Sequence, residues 1–387
     1  MLTDAWRWFG VNDPISLKEI KMTGVHHIVT ALHEVPIGDI WTLESIMAHK
    51  KTIEEEGLHW YVAESLSLHE TIKYGGKERD YYIDLYIQSM IHLSKAGITV
   101  ICFNFMPIVD WTRTNLKYLC EDGSYALRFD WVDFAILDIY MLKRTDVENE
   151  YTEDILEKAR EKVETMSKKD MEVLKMNVIN GLPGGMIQTY TLKQLKKMID
   201  LYKRVSKEDM CANLIYFLKR VIPIAEECQI YLAIHPDDPP IDLFGIPRIV
   251  SSQEDIRNIL NIVDSPHNGI TLCVGTLASH PENSILNILY EYSHKVHFLH
   301  MRNIIKDKDI CLSFTESNHL EGDVDMYKIF YHMIKEKRPF PIYYRADHGH
   351  LMLDDISKDN VNPGYSLIGR LRGISELRGV LSGVLNG

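Results

Sequence analysis

Residues 343–350 read Tyr-Tyr-Arg-Ala-Asp-His-Gly-His, and the types gathered there can do chemistry. An apolar run from Pro341 to Tyr344 leads into Arg345, Asp347, His348 and His350. That is the composition of a buried strand whose carboxyl end opens into a site. A carboxylate beside an imidazole can ligate a metal or move a proton, and an Arg two residues earlier can hold an anion. A solvated turn with locally paired charges would read the same way, so the rest of the chain must decide.

The elements that would position this stretch alternate. Trp6 to Phe9 is a first short strand, and a helix from Ser16 to Met22 follows with Ser16 as its cap. Strands at Val25–Leu32, Leu58–Ala63 and Thr99–Phe105 are separated by helices that Thr42 opens and that Gly57 and Gly97 stop. From Pro107 to about Asp209 the apolar β-rich runs cease, and the spacing predicts helices at Tyr151–Met166 and Leu192–Val205 with Gly181-Leu182-Pro183-Gly184-Gly185 between them. Alternation resumes with a helix at Met210–Cys228, kinked at Pro223. Strands five to eight are expected at Gln229–Ile234, Ile270–Val274, Val296–Met301 and Pro341–Arg345. Helices are expected at Gln253–Val263, Glu282–Tyr292, Val324–Glu336 and Tyr365–Leu381, and a loop at Phe314–Gly322. Eight strands alternating with helices predict a parallel (β/α)8 TIM barrel as one domain over residues 1–387, with a mostly helical insertion at 107–209.

In such a barrel the site lies at the carboxyl ends of the strands. The fifth ends in His235, the sixth in Cys273, the seventh in His300 and the eighth in Asp347. Singly, each has a dull explanation: a satisfied ring, a small core thiol, a loop cap. Together they put four metal-ligand types on one rim. Softness points to zinc, whereas an expandable shell that chelates a hydroxy acid suits Fe(II) or Mn(II), so the donors leave the ion open. Arg7, Arg113, Arg302 and Arg345 stand near strand ends and could clamp a carboxylate in bidentate fashion. His348, His350 and Tyr365 could move protons, and His319 and Asp323 occupy a loop expected over the mouth.

The bulk numbers exclude other classes. A net charge of −12 argues against a nucleic-acid groove. The sequence shows neither an export signal nor an apolar run of spanning length, so a soluble, cytoplasmic protein is expected, with no membrane partner. Six unpaired-looking cysteines fit a reducing compartment. A homo-oligomer, a dimer, is the expected assembly.

Several blocks in fixed order resemble the mannonate dehydratases of hexuronate (glucuronate) breakdown. They are Trp6-Arg7-Trp8-Phe9-Gly10, Asn104-Phe105-Met106-Pro107 with Asp110-Trp111-Thr112-Arg113-Thr114, Gly181 to Gly184, His235 to Pro240, Pro247 to Ser251, Gly322 to Met326, Asp347 to His350 and Asn362 to Ser366. The resemblance runs nearly end to end. It implies a xylose isomerase-like barrel and a lyase that uses Fe2+ or Mn2+ to convert D-mannonate to 2-dehydro-3-deoxy-D-gluconate and water. It implies His235, Cys273, His300 and Asp347 as metal ligands, and acid/base work around His348 and Tyr365. Two positions depart from the family pattern: Val274-Gly275-Thr276 stands where Thr-Gly-Ser is usual, and Ala346 where Pro is preferred. A metal-dependent isomerase or epimerase on the same barrel, or a non-catalytic sugar-acid-binding protein, are the other readings.

Overall fold

In a computed structural model, residues 2–145, 147, 149–179, 191–338 and 340–387 are described. The strands are β1 Leu2–Asp4, β2 Trp6–Arg7, β3 His27–Thr30, β4 His59–Glu64, β5 Val100–Asn104, β6 Asn115–Leu119 and β7 Tyr125–Phe129. The chain continues with β8 Tyr231–His235, β9 Asn268–Cys273, β10 Val296–His300, β11 Asn303–Lys306, β12 Phe314–Ser317 and β13 Ile342–Arg345. Nine of them form one parallel sheet in the order β1-β13-β10-β9-β8-β5-β4-β3-β2. β1 and β2 are two halves of one bent strand: β1 pairs with β13, β2 with β3, and between them Ala5 N–H donates to the Tyr344 carbonyl at 2.7 Å. The barrel therefore closes with eight staves, as the alternation predicts.

Side-chain parity explains what this barrel presents at its mouth. Ala5, Val29, Val62, Val100, Cys102, Ala233, Phe298 and Tyr343 pack together as one buried cluster, the filling of the barrel. Successive side chains alternate faces, so two residues further along their strands the inward positions belong to Arg7, Glu64, Asn104, His235, His300 and Arg345. The apolar interior thus ends in a polar layer. Register sets neighbours within it: His300 lies opposite Cys273 on one side and opposite Arg345 on the other.

The helices pack outside, with caps where the sequence places them. Ser16 accepts from Glu19 N–H, and Glu19 reaches back in a capping box; Thr42 caps Leu43–Glu55. Gly57 and Gly97 end their helices with φ of +73° and +80°, where a Cβ would be strained. The helix Lys207–Glu227 continues through Pro223. Among the described residues no helix is long and apolar enough to cross a membrane.

Two stretches differ from expectation. Ahead of the helices Trp131–Ile136, Glu153–Thr165, Lys168–Ile179 and Leu192–Tyr202, the segment 107–209 holds the hairpin β6–β7; β12 lies in the stretch expected as a loop. With β11 they form a second, antiparallel sheet in the order β11-β12-β7-β6. The physical reason is burial. β6 is largely exposed and β12 alternates buried and half-buried residues, so neither shows the continuous apolar run of a strand covered on both faces. The motif Gly181 to Gly185 lies outside the described residues.

Candidate active site

His235, Cys273, His300 and Asp347 converge at the barrel mouth. One donor atom each from His235, Cys273 and His300 lies within 4.8 Å of the other two. Asp347 Oδ2 is 3.7 Å from both Cys273 Sγ and His300 Nδ1. His235 Nδ1 sits 2.6 Å from the Pro236 carbonyl, which can only accept, so that nitrogen carries the hydrogen and Nε2 presents a lone pair. Burial lowers the His235 pKa against the pull of Asp238 and Asp347, which keeps the ring in its ligating form. His300 Nδ1 faces His235 Nε2 at 3.1 Å, while His300 Nε2, buried and without a hydrogen-bond partner, is 3.5 Å from Glu64 Oε2. With its proton on the Glu64 side, the second imidazole also aims a lone pair at the centre. His235, Cys273 and His300 would hold a divalent cation, and Asp347, in reach of two of them, would add a charged oxygen donor.

A buried charge lattice holds these donors. Arg345 donates to Glu64 at 2.7 Å and also pairs with Asp347. Arg113 bridges Asp238 at 2.8 Å and Glu316 at 2.7 Å; Arg302 Nη1 spans the same two carboxylates at 3.0 Å each. Burial raises the cost of each carboxylate's charge. The guanidiniums outweigh it, holding Asp347 and Asp238 well below the ordinary range; for Glu316, His348 and the same arginines bring the value to about 2. Asp237 is used differently, since it accepts Val250 N–H at 2.7 Å and fixes the loop Pro247 to Ser251.

Beside the cluster stands a second arrangement. His348 Nδ1 is 2.6 Å from Glu316 Oε2, and its Nε2 is 3.2 Å from the Tyr365 hydroxyl. The charged carboxylate takes the Nδ1 hydrogen, leaving Nε2 as an acceptor that faces a phenol. Burial, then the negative charge of Asp347, raises the Tyr365 pKa, so the phenol stays protonated.

Of the four arginines proposed to bind substrate, Arg113, Arg302 and Arg345 have their guanidiniums engaged by carboxylates of the protein and are at most 2% exposed. Arg7 is likewise buried and paired, with Glu64 at 3.4 Å, but of the four it alone lines, together with Glu64, a cavity of about 350 Å3. His319 is buried, its Nε2 unpartnered, over Gly373, where an added Cβ would come within 2.2 Å of the ring. Asp323 is exposed and caps β11 through Lys306 N–H at 3.1 Å instead of reaching the site. His350 is a prop, bonded to the Glu316 carbonyl at 3.0 Å. Glu64, Glu316, Asp238 and Thr276 are the members that sequence reasoning missed.

A sequence profile of the family described as D-mannonate dehydratase (UxuA) matches residues 2–387. The chain belongs to that family. A mannonate dehydratase of Saccharophagus degradans is 42% identical over 98% of this chain and 97% of its own length, and mannonate dehydratase 2 of Agrobacterium fabrum is 41% identical over 98% and 96%. The crystal structure of mannonate dehydratase from Streptococcus suis serotype2 superposes with a TM-score of 0.78 at 34% identity, covering 100% of this chain and 94% of that one. A xylose isomerase-like TIM barrel protein from Mycobacterium smegmatis, at 12% identity and a TM-score of 0.53, covers 99% and 97% and shares the fold. Thr276 places its hydroxyl 3.0 Å from Cys273 Sγ and accepts a hydrogen bond from Arg302.

The charge lattice and neighbouring histidines set a pH dependence. Burial lowers the pKa of His33 to about 3 and those of His49 and His319 to about 4. An unfolded imidazole takes its proton near 6.5, so these rings contribute stability fully above about 6.5 and lose it as pH falls toward their folded values. Asp347, Asp238 and Glu316, also depressed, contribute above about 4 and lose that as pH drops through their folded values. The two sets act in the same direction. The thermal midpoint, followed by circular dichroism, is expected to fall steadily from about pH 6.5 downward and more steeply below about 4; a flat midpoint across that window would contradict the burial of these groups.

Proposed function

We propose that this chain is a metal-dependent hydro-lyase that removes water from D-mannonate to give 2-dehydro-3-deoxy-D-gluconate, in one barrel domain with Mn2+ or Fe2+ as its ion. The carrying observation is the cluster of His235, Cys273 and His300, with Asp347 3.7 Å from the last two, beside a Glu316–His348–Tyr365 chain. A cytoplasmic place in hexuronate breakdown and a homodimer belong to the same reading.

The hard step is taking the C2 proton, because negative charge then accumulates on the substrate carboxylate. When bound by the four donors, the ion supplies positive charge against that carboxylate and the C2 hydroxyl. Arg7 supports the second carboxylate oxygen from the cavity side. His348 Nε2 takes the C2 proton, with the Glu316 charge steadying the imidazolium. Tyr365 gives its hydroxyl proton to the group leaving C3, which departs as water. The C2–H and C3–O bonds have then broken and an enol stands between C2 and C3. The imidazolium returns its proton to the phenolate, and the enol becomes the C2 ketone.

The test is an anaerobic assay of D-mannonate against a panel of aldonates, with apoprotein reloaded by Mn(II), Fe(II) or Zn(II), because a thiolate is open to oxidation. Product detection by periodate and thiobarbiturate separates dehydration from isomerisation or epimerisation. Turnover of other aldonates but not D-mannonate, or metal-independent turnover, would remove this reading. A second expectation concerns Arg7→Lys, which keeps the charge but loses the bidentate fork: KM for D-mannonate should rise roughly 10- to 100-fold with a smaller change in kcat. An unchanged KM would move the carboxylate elsewhere.

A further inference from the structure

The turn joining β6 to β7 carries Cys120, Asp122 and Ser124 and folds back against His350. The hairpin is tied there through backbone: Tyr125 N–H donates to the Leu351 carbonyl at 2.9 Å and Leu351 N–H to the Tyr125 carbonyl at 2.8 Å. Gly123, at a φ of +83°, lets the turn close, and Cys120 N–H reaches the Ser124 carbonyl at 2.8 Å. Cys120 Sγ, an Asp122 carboxylate oxygen and a His350 ring nitrogen consequently lie within 4.8 Å of one another.

Counting hydrogens shows what the cluster lacks. His350 is buried, and its Nε2 faces the Glu316 carbonyl at 3.0 Å, so that nitrogen carries the hydrogen and Nδ1 holds a lone pair. Nδ1 faces Ser124 Oγ at 2.9 Å, but that hydroxyl is also 2.6 Å from Asp122 Oδ1. The hydroxyl has one hydrogen for these two acceptors, of which the Asp122 oxygen also accepts the Ser124 N–H at 2.9 Å, and a partly exposed thiol stands alongside. A thiolate, an imidazole and a carboxylate are the donor set of a borderline-soft divalent ion.

We propose that Cys120, Asp122 and His350 form a second cation site, separate from the barrel-mouth cluster, that takes a zinc-class divalent ion and leaves a fourth position to water. Binding releases the Cys120 thiol proton to solvent, so affinity rises with pH. The ion staples the hairpin tip to the loop that carries His348 and acts on the stability of that junction; none of the three residues lines the cavity beside Arg7. The site does not depend on which reaction the barrel mouth performs.

The experiment compares metal-free wild-type protein with Cys120→Ser and Asp122→Asn after equilibration against buffered Zn(II), with ions per chain counted by mass spectrometry. Wild type is expected to hold one more ion than Cys120→Ser, and Asp122→Asn to hold that extra ion about tenfold more weakly or worse. Zn(II) is expected to raise the thermal midpoint of wild type more than that of Cys120→Ser, while the metal-free midpoints agree and show that the variant folds. Equal ion counts and equal midpoint shifts in the two proteins would overturn the proposal and leave a proton on His350 Nδ1 as the occupant.

Discussion

The His348→Ala variant is expected to lose roughly a hundred- to ten-thousand-fold in kcat, the range removed with a general base, while KM for D-mannonate moves little. Its imidazole is placed by two contacts at 2.6 and 3.2 Å, to Glu316 and to Tyr365, and neither partner can take the C2 proton in its place. Glu316 is held as a carboxylate by His348 and two arginines, and the Tyr365 phenol is held protonated by burial. Glu316 keeps Arg113 and Arg302 after the ring is gone, so the fold should survive with a small change in thermal midpoint. Added imidazole should restore part of the rate, because the gap left by the ring opens beside a protonated acid already in place. Glu316→Gln tests positioning: an amide can offer Nδ1 a hydrogen instead of accepting one and so favour the wrong tautomer, which would lower kcat and shift its pH profile. Unchanged kcat in His348→Ala would remove this residue from the chemistry and pass the base role to another group.

The four side chains expected at the strand ends do come together at the mouth, because the barrel makes position along a strand meaningful. A strand end two residues beyond an inward apolar side chain points into the mouth, and His235 and His300 follow Ala233 and Phe298 in this way. Glu64 obeys the same rule after Val62. It was missed because the expected strand stopped at Ala63, one residue short. Glu316 carried a weaker signal: β12 has four residues, alternates in burial, and is recognisable as a strand only through partners on β7 and β11. The fate of the arginines was not readable either. Whether a guanidinium is free for substrate depends on carboxylates 125 or 203 residues away, as for Arg113 with Asp238 and Glu316, and composition holds no trace of such pairings.

Asp347→Asn is expected to cost both the ion and turnover. The carboxylate is the single charged oxygen donor in the four-residue cluster, and the two imidazoles and Cys273 contribute at most one negative charge between them. An amide oxygen can still coordinate but brings no charge, and its NH2 group can be turned toward His300 or Cys273, where a hydrogen replaces a lone pair. Metal content of the dialysed variant should fall well below that of wild type and kcat by several orders of magnitude, as for loss of a first ligand. Stability is affected separately. Arg345 is buried between Glu64 and Asp347, so neutralising one partner leaves a buried guanidinium with a single carboxylate. Breaking a buried pair costs about 3–5 kcal/mol when the remaining charge has no partner, and Glu64 should hold the loss below that range. A melting curve therefore separates the two effects: a folded variant that is empty of metal and inactive supports ligation by Asp347, whereas full metal content with full turnover would end the four-donor reading.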